Sequence, residues 1–250
     1  MNHYKMTGKL FYTALVCLFC SCGNNEKKTT TETATIDSTT TTTKDTTPIV
    51  VTPGTITTAA ENMIIVRHKV ADYAKWQISY DAHDSMRRAS GLHNYVIGRG
   101  MADSNVILIA IKADDMAKAK AFSKSPSLKE AMQKSGVTGP PSMLFATTSY
   151  MDTAILATPI RSMNIMTVKD ADAWRTAFNE GKQERMDNGI VDRVISRDAD
   201  NDKKIILVTA LLDTAKANAY STSDALKKRR EAGGVIGTPE RFVFRVVKRY

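Results

Sequence analysis

The sequence predicts an α+β fold made of two similar halves that follow one another along the chain. Residues 66–148 align with residues 164–246 at a constant offset of 98 positions, with no gap and about 22 identities in 83 positions. Each half shows the same order of apolar runs and breaks, which is typical of strand, helix, strand, strand, helix, strand. The residues before the first half are polar and low in complexity, so we expect the folded part to start after them.

The first three elements follow from local signals in the first half. Met63–Val70 is a β-rich run, and Asp72 is a good N-cap because its carboxylate can accept from backbone N–H groups of the first turn. We expect the helix that follows to continue to about Ser90 and to end at Gly91. Asn94–Arg99 is then the second strand.

The rest of the half alternates in the same way. The predicted elements are, in order, a turn at Ala102–Asn105, a strand at Val106–Lys112, a helix that starts at Asp114 or Asp115 and is broken at Pro126, a turn at Gly136–Pro141 and a strand at Ser142–Thr148. Because the second half repeats this pattern, we expect two domains, at 63–150 and 160–250.

Several stretches of the first half resemble the dimeric α+β barrel superfamily, which includes the antibiotic-biosynthesis-monooxygenase-like domains. They are Asp72-Tyr73-Ala74-Lys75-Trp76, the pair Arg87 and Gly91, and the run Ala117–Pro141. The resemblance implies that each half is a ferredoxin-like βαββαβ repeat. It also implies that the two repeats pack as an intramolecular dimeric α+β barrel, so the protein would be a monomer with a pseudo-dimer inside one chain.

Function does not follow from this resemblance, because the superfamily hosts cofactor-free oxygenases, haem-degrading enzymes, isomerases and plain ligand binders. We therefore keep three interpretations open. The first is a small-ligand-binding or accessory module, and the second is a cofactor-independent oxygenase or isomerase or a haem-handling enzyme. The third is a structural protein with a filled core.

The first 22 residues have the three parts of a secretory signal. Lys5 and Lys9 supply the positive charge, Leu10–Phe19 is a short apolar run, and Ser21 is a small residue before Cys22. The sequence around Cys22 resembles the lipobox of Bacteroidetes lipoproteins. This implies cleavage and lipidation at Cys22 and a cell-envelope location, at the outer membrane on its periplasmic or surface face. An ordinary cleaved signal peptide and an uncleaved anchor are the alternatives.

A Thr-rich linker is predicted at 23–60, with about 16 threonines and almost no large apolar residue. Such a segment cannot bury enough surface to offset the entropy of ordering it, so we expect disorder there.

Composition narrows the chemistry of the domain. The cysteines Cys17, Cys20 and Cys22 all precede the linker, so the repeats have no disulfide, thiol nucleophile or thiolate ligand. The formal net charge is +9, but the aromatic residues are few and are not interleaved with basic residues, so we expect no nucleic-acid partner. The histidine spacings fit no zinc site, and we expect neither a metal nor a cofactor.

The candidate site residues lie mainly on the first helix of repeat one. Trp76, Tyr80, His83 and Arg87 share one helical face, at spacings of four, three and four residues. We expect Trp76 and the Tyr80 ring to be core residues. Tyr80, His83 and Arg87 could instead line a pocket in the barrel for an anionic or phenolic molecule, or for haem. His68 is a possible base if it points inward, which strand alternation leaves undecided.

Comparing the two halves suggests which repeat holds the ligand. The three histidines after the linker are His68, His83 and His93, and all belong to repeat one; their counterparts in repeat two are Met166, Gly181 and Val191. We therefore expect repeat two to act as filler. The alternative is that these side chains are partly exposed, or are ordinary polar side chains with satisfied hydrogen bonds.

Overall fold

The computed structural model describes residues 55–250. The predicted signal sequence, the lipidation site Cys22 and most of the predicted linker lie outside these residues. Within residues 55–250, no helix combines the length and the apolar character that a membrane crossing requires.

Repeat one contains eight main elements, preceded by a two-residue strand. They are β1 (Ile56–Thr57), β2 (Glu61–Val70), α1 (Tyr73–Ala82), α2 (Asp84–Ala89), β3 (Leu92–Gly100), β4 (Val106–Ala113), α3 (Met116–Ser123), α4 (Pro126–Lys134) and β5 (Val137–Asp152).

Repeat two contains the same eight elements. They are β6 (Ile160–Val168), α5 (Ala171–Glu180), α6 (Lys182–Asp187), β7 (Ile190–Asp198), β8 (Lys204–Leu211), α7 (Thr214–Ser221), α8 (Asp224–Ala232) and β9 (Val235–Arg249). All four helices of repeat two begin and end 98 residues after those of repeat one. The structure thus confirms the repeat and its βαββαβ order.

The strands form one antiparallel sheet that closes on itself. Within each repeat the order is that of the ferredoxin-like fold, β5-β2-β4-β3 and β9-β6-β8-β7. The two repeats join through β3 with β9 and through β5 with β7. Eight strands therefore make a closed barrel within a single chain, and the predicted intramolecular dimeric α+β barrel is confirmed.

Residues 55–250 contain four apolar clusters, and three of them bear on the candidate sites. Strand residues alternate between the barrel interior and the outer face, which the helices cover. The outer cluster of repeat one is built around Trp76, and that of repeat two around Trp174. The interior cluster contains residues of both repeats, including Ile65, Leu108 and Phe244. Both tryptophans are nearly fully buried, which confirms the prediction for Trp76.

Capping explains where the helices start and stop. The side chain of Asp72 accepts from the backbone N–H of Lys75 at 3.0 Å, and Asp170 caps the equivalent helix. Gly91 follows the end of α2 with a φ of +68°, a conformation that favours glycine. The predicted cap and the predicted C′ glycine are confirmed.

Three predicted boundaries differ from the structure. The first helix is interrupted at His83, so it forms two short helices. The predicted turn Gly136–Pro141 is wrong, because β5 already starts at Val137 and pairs with β2 on both sides of an irregularity. In addition, Ile56–Thr57 forms a short strand against β5, within the range predicted as linker.

Candidate functional site

The main candidate pocket lies between the helices and the outer sheet face of repeat one. Its volume is about 80 Å³, and its walls include Ile64, His68, Trp76, Ile109 and Met143. Tyr80, His83 and Arg87 also line it, so the structure brings the four sequence candidates to one cavity. The expectation that this pocket lies in the barrel interior is wrong, because α1 and α2 pack on the outside of the barrel.

Among the described residues that line this pocket, His68 is a buried polar side chain without a hydrogen-bond partner. It is 6% exposed, and neither Nδ1 nor Nε2 has a hydrogen-bond partner within residues 55–250. Its ring meets the Trp76 ring edge-on, with 5.6 Å between the ring centroids. Burial lowers the pKa of His68 to about 4, because the apolar surroundings disfavour the charged form. The imidazole is therefore neutral at pH 7, with one N–H donor and one acceptor nitrogen.

Tyr80 and Arg87 form a network that joins the helices to β3. The Tyr80 hydroxyl donates to Asn94 Oδ1 at 2.6 Å, and Arg87 Nε donates to the same oxygen at 3.0 Å. Arg87 also donates through Nη2 to the Tyr80 carbonyl at 2.7 Å, and its guanidinium lies 3.7 Å from the Tyr80 ring centroid. Burial raises the pKa of the Tyr80 hydroxyl, so it stays protonated. Most polar atoms of this pair are thus used within the protein.

The two other histidines of repeat one differ from His68. His83 lies at the junction of α1 and α2, and its Nδ1 donates to the Ser79 carbonyl at 2.6 Å. His93 is exposed on β3 and contacts the Asp114 carboxylate at 3.0 Å, outside the pocket. Of the three, His68 is the one that offers both ring nitrogens to a ligand.

A second pocket occupies the same place in repeat two. Its volume is about 110 Å³, and the expectation that repeat two acts as filler stays a prediction. Met166 stands where repeat one has His68, and Ser162 and Asn164 add polar groups on β6. The basic residues Arg185, Arg229, Arg230 and Arg241 also line this pocket.

The arginines of the second pocket differ in how they are paired. Arg185 donates to both carboxylate oxygens of Asp192, at 2.9 and 2.6 Å, and Arg229 pairs with Glu184 at 2.7 Å. Arg230 has no acidic partner within residues 55–250, and burial lowers its pKa. The sequence alone does not connect Arg229 and Arg230 with a pocket, because the pocket residues on β6 lie more than 60 positions earlier in the chain.

The pockets do not fit a metal ion or haem. Residues 55–250 contain no group of three His, Cys, Asp or Glu side chains placed to hold a metal. The cavity of about 80 Å³ around His68 is well below the ~300 Å³ at which ordinary small-molecule sites begin, and a haem macrocycle needs more room than that. A compact molecule is the better match.

Comparison with solved structures agrees with the topology. A putative monooxygenase from Lactobacillus acidophilus superposes with a TM-score of 0.50 at 12% identity, over 75% of this chain and 94% of that chain. An anthrone oxidase-like protein superposes with a TM-score of 0.51 at 11% identity, over 75% of this chain and 92% of that chain. The chain has the dimeric α+β barrel fold. A second barrel structure, a putative monooxygenase from Fusobacterium nucleatum, gives a TM-score of 0.50 at 11% identity, over 76% of this chain and 94% of that chain.

These likenesses concern the fold of the barrel alone, because the identities are low. No protein-family model matches the sequence, and no curated protein matches it. The function must therefore be argued from the pockets themselves.

Proposed function

We propose that repeat one binds a compact, uncharged and largely apolar molecule that carries one hydroxyl or carbonyl group, with His68 as its polar contact. The observation that supports this is the pair of ring nitrogens of His68, which are buried without hydrogen-bond partners among residues 55–250 and line an apolar cavity. A buried polar group without a hydrogen bond costs about 1–3 kcal/mol, which a ligand could recover.

An uncharged ligand fits better than an anion. Arg87, the cation that lines this pocket, already donates to the Asn94 side chain and the Tyr80 carbonyl. The lowered pKa of His68 also means that the imidazole carries no charge at pH 7. A phenol or a small ketone therefore matches the donor and acceptor that His68 offers, whereas a carboxylate would have no free positive partner there.

The alternative function is a cofactor-independent oxygenase or isomerase in which His68 accepts a proton from the substrate. The names of the solved structures with this fold, putative monooxygenase and anthrone oxidase-like protein, point the same way. A neutral imidazole is in the right form to act as a base. Its pKa of about 4 makes it a weak one, however, since efficient bases titrate near the working pH. This magnitude favours binding over catalysis.

Phenol and toluene are suitable probes, because they have similar shapes and differ in one hydroxyl. We expect phenol to shift the imidazole ¹⁵N resonances of His68 and to raise Tm, and toluene to bind more weakly. His68→Met installs the residue of repeat two and should reduce phenol affinity about tenfold, the loss expected for one hydrogen bond of about 1.4 kcal/mol.

His93→Val is the matched control, because it installs the repeat-two residue at an exposed histidine outside the pocket. It should leave phenol binding unchanged. Equal phenol affinity in the wild type and in His68→Met would contradict the proposal. Oxygen uptake or hydrogen exchange at the bound probe that depends on His68 would favour the enzyme.

For the cell, we propose an envelope lipoprotein that carries the barrel on the Thr-rich linker and is anchored through lipid at Cys22. The signal-like N-terminus and the lipobox resemblance support this. Two or more acyl chains would hold the protein firmly on the membrane. Labelling cells with a palmitate analogue should mark the wild-type protein and not Cys22→Ser; label retained by the variant would argue against the anchor.

We also propose that the protein is a monomer, because both barrel seams are formed within one chain. Light scattering at increasing protein concentration should give the mass of one chain, and a dimer mass would overturn this.

A further inference from the structure

A third cavity, of about 60 Å³, lies in the barrel interior, where the two repeats meet. Most of its wall is apolar and includes Met63, Ile65, Met163 and Phe244. Its charged wall residues are Asp152, Arg161, Arg193 and Arg249. This cavity is separate from the two helix-side pockets and shares no lining residue with either of them.

Arg161 is the residue that makes this cavity unusual. It is only 3% exposed. Its Nη1 donates to the carbonyls of Thr158 at 2.8 Å and Ile160 at 2.9 Å. Its Nη2 is buried and has no hydrogen-bond partner within residues 55–250. Burial, and then the nearby charges of Arg193 and Arg249, lower the pKa of Arg161 to about 10, so the guanidinium remains charged at neutral pH.

The charges around the cavity do not balance. Arg193 is 4% exposed and uses its donors on Asp152 Oδ2, at 2.9 Å, and on the Ala154 carbonyl, at 2.5 Å. Asp152 is the one acidic residue among the described lining residues. Within residues 55–250, Arg161 and Arg249 therefore have no carboxylate partner, and of these two only Arg161 is buried. Removing a charge from water is expensive unless an opposite charge compensates for it.

Arg249 supplies a second free donor group. It lines the same cavity from the end of β9, its side chain is exposed, and it has no acidic partner within residues 55–250. A planar guanidinium is suited to carboxylates, and a charge-assisted hydrogen bond of this kind is about twice as strong as a neutral one.

We propose that this interior cavity is a binding site for a small carboxylate with a short apolar body. The carboxylate is held by Arg161 Nη2 and the Arg249 guanidinium, and the body packs against Met163 and Phe244. The small volume limits the body to a few carbon atoms, and the largely apolar wall favours a carboxylate over inorganic phosphate.

The two repeats contribute unequally to this site. Met63 of repeat one is equivalent to Arg161, and Tyr95 is equivalent to Arg193, so the positive charge comes from repeat two. The Met63 position shows that the barrel accommodates an apolar side chain at this place in the strand. Arg161→Met is therefore a substitution with a precedent in the same molecule.

Butyrate is a suitable probe, with 1-butanol as its neutral counterpart and inorganic phosphate as a second anion. In calorimetry on the full-length chain at low ionic strength, we expect one butyrate per chain and no comparable binding of 1-butanol. Arg161→Met should weaken butyrate binding by at least about tenfold. It should also abolish the rise in Tm that butyrate gives the wild type.

Arg88→Met is the matched control, because it removes the same charge from an exposed position on α2. Both Arg88→Met and His68→Met should bind butyrate as the wild type does. Should Arg161→Met fail to fold, Arg161→Lys keeps a charge but not the free Nη2, and it should also bind more weakly.

Three results would overturn the proposal. The first is that the wild type does not bind butyrate, and the second is that Arg161→Met, or Arg161→Lys if the methionine variant does not fold, binds butyrate as tightly as the wild type. The third is that phosphate binds more tightly than butyrate and displaces it. None of these results bears on the phenol experiment, so the two proposals can fail independently.

Discussion

The helix-side pockets of the two repeats share one framework and differ in the residues that face the cavity. Trp76 and Trp174 stack on Tyr80 and Phe178, with ring centroids 4.9 and 5.0 Å apart. Against this shared background, repeat one presents the neutral and unpartnered His68, where repeat two has Met166.

Comparing the two pockets shows which residues the fold requires in both repeats and which residues differ between them. Arg87 and Arg185 are retained in both repeats, and each ties its helix pair to the neighbouring strand. The partner differs, however: Asn94 is a neutral amide, whereas Asp192 forms a buried ion pair with Arg185. The same structural task is thus carried out with different electrostatics, which makes the two halves directly comparable in experiments.

The largest expected loss of stability follows from replacing this arginine in each repeat. The side chains of Arg185 and Asp192 are 8% and 11% exposed, so Arg185→Met would leave a buried, unpaired carboxylate and cost about 3–5 kcal/mol of unfolding free energy. Arg87→Met should cost about 1–3 kcal/mol, because Asn94 is neutral and keeps hydrogen bonds to Tyr80 and Asp84. Arg87 also pairs with the Asp84 carboxylate at 3.5 Å, but that side chain is 37% exposed and can be solvated when the arginine is removed. Urea unfolding of the two variants measures the difference.

Adding Asp192→Asn to Arg185→Met should restore part of the stability, because the amide carries no charge. Equal losses in the two single variants would show that the Arg185–Asp192 ion pair and the Asn94-centred network of Arg87 are energetically equivalent.

The second expected effect is a dependence of the unfolding free energy on pH that comes from His68 in repeat one. His68 titrates at about 4 in the folded state against 6.5 for an ordinary histidine, so between these values only the unfolded chain binds the proton. Stability should therefore fall as the pH drops from about 6.5 to about 4, by about 3 kcal/mol in total, and this contribution should be constant outside that window.

The measurement is the unfolding free energy against pH for the wild type minus that for His68→Met, which removes the contributions of the other titrating groups. A flat difference curve would show that His68 is solvated. At pH 7 the same variant should be the more stable protein, since methionine leaves no unpaired polar atoms in the pocket.

The smallest effect compares one barrel position in both repeats. A Cβ on Gly98 would lie 2.3 Å from Phe244 Cδ2, so Gly98→Ala should overpack the barrel and cost about 1–3 kcal/mol. Its counterpart Ser196 shares a hydrogen bond of 2.8 Å with Thr148, and Ser196→Ala should cost about 1 kcal/mol. Thermal unfolding ranks the two, and the reverse order would show that Phe244 moves aside easily.

Much of the fold could be predicted from the sequence, because the same pattern of elements occurs in both repeats. The caps Asp72 and Asp170 and the buried tryptophans follow from local chemistry and from identity between the halves. The stretch Gly136–Pro141 was misread, since glycine and proline also mark irregular strands, and only pairing with β2 distinguishes these from a turn.

The candidate sites were harder to predict from the sequence than the fold. Strand alternation cannot say which face of β2 the helices cover, so the direction of His68 stayed open until the register was known. Arg161 lies just before the aligned region and is not among the candidate residues predicted from the sequence; a single arginine at the start of an apolar strand is the signal that could have indicated it. Its neighbours Arg193 and Arg249 come from β7 and β9, and only closure of the barrel brings them together.

The connection between the repeats, residues 153–159, has a consequence for how this protein can evolve. In a pair of identical subunits, any new side chain near the symmetry axis arrives together with its mate. When the two repeats are joined in one chain, their sequences can change independently. Arg161 can therefore occur opposite Met63 without a second arginine beside it. A centre that serves both halves can thus be altered one residue at a time.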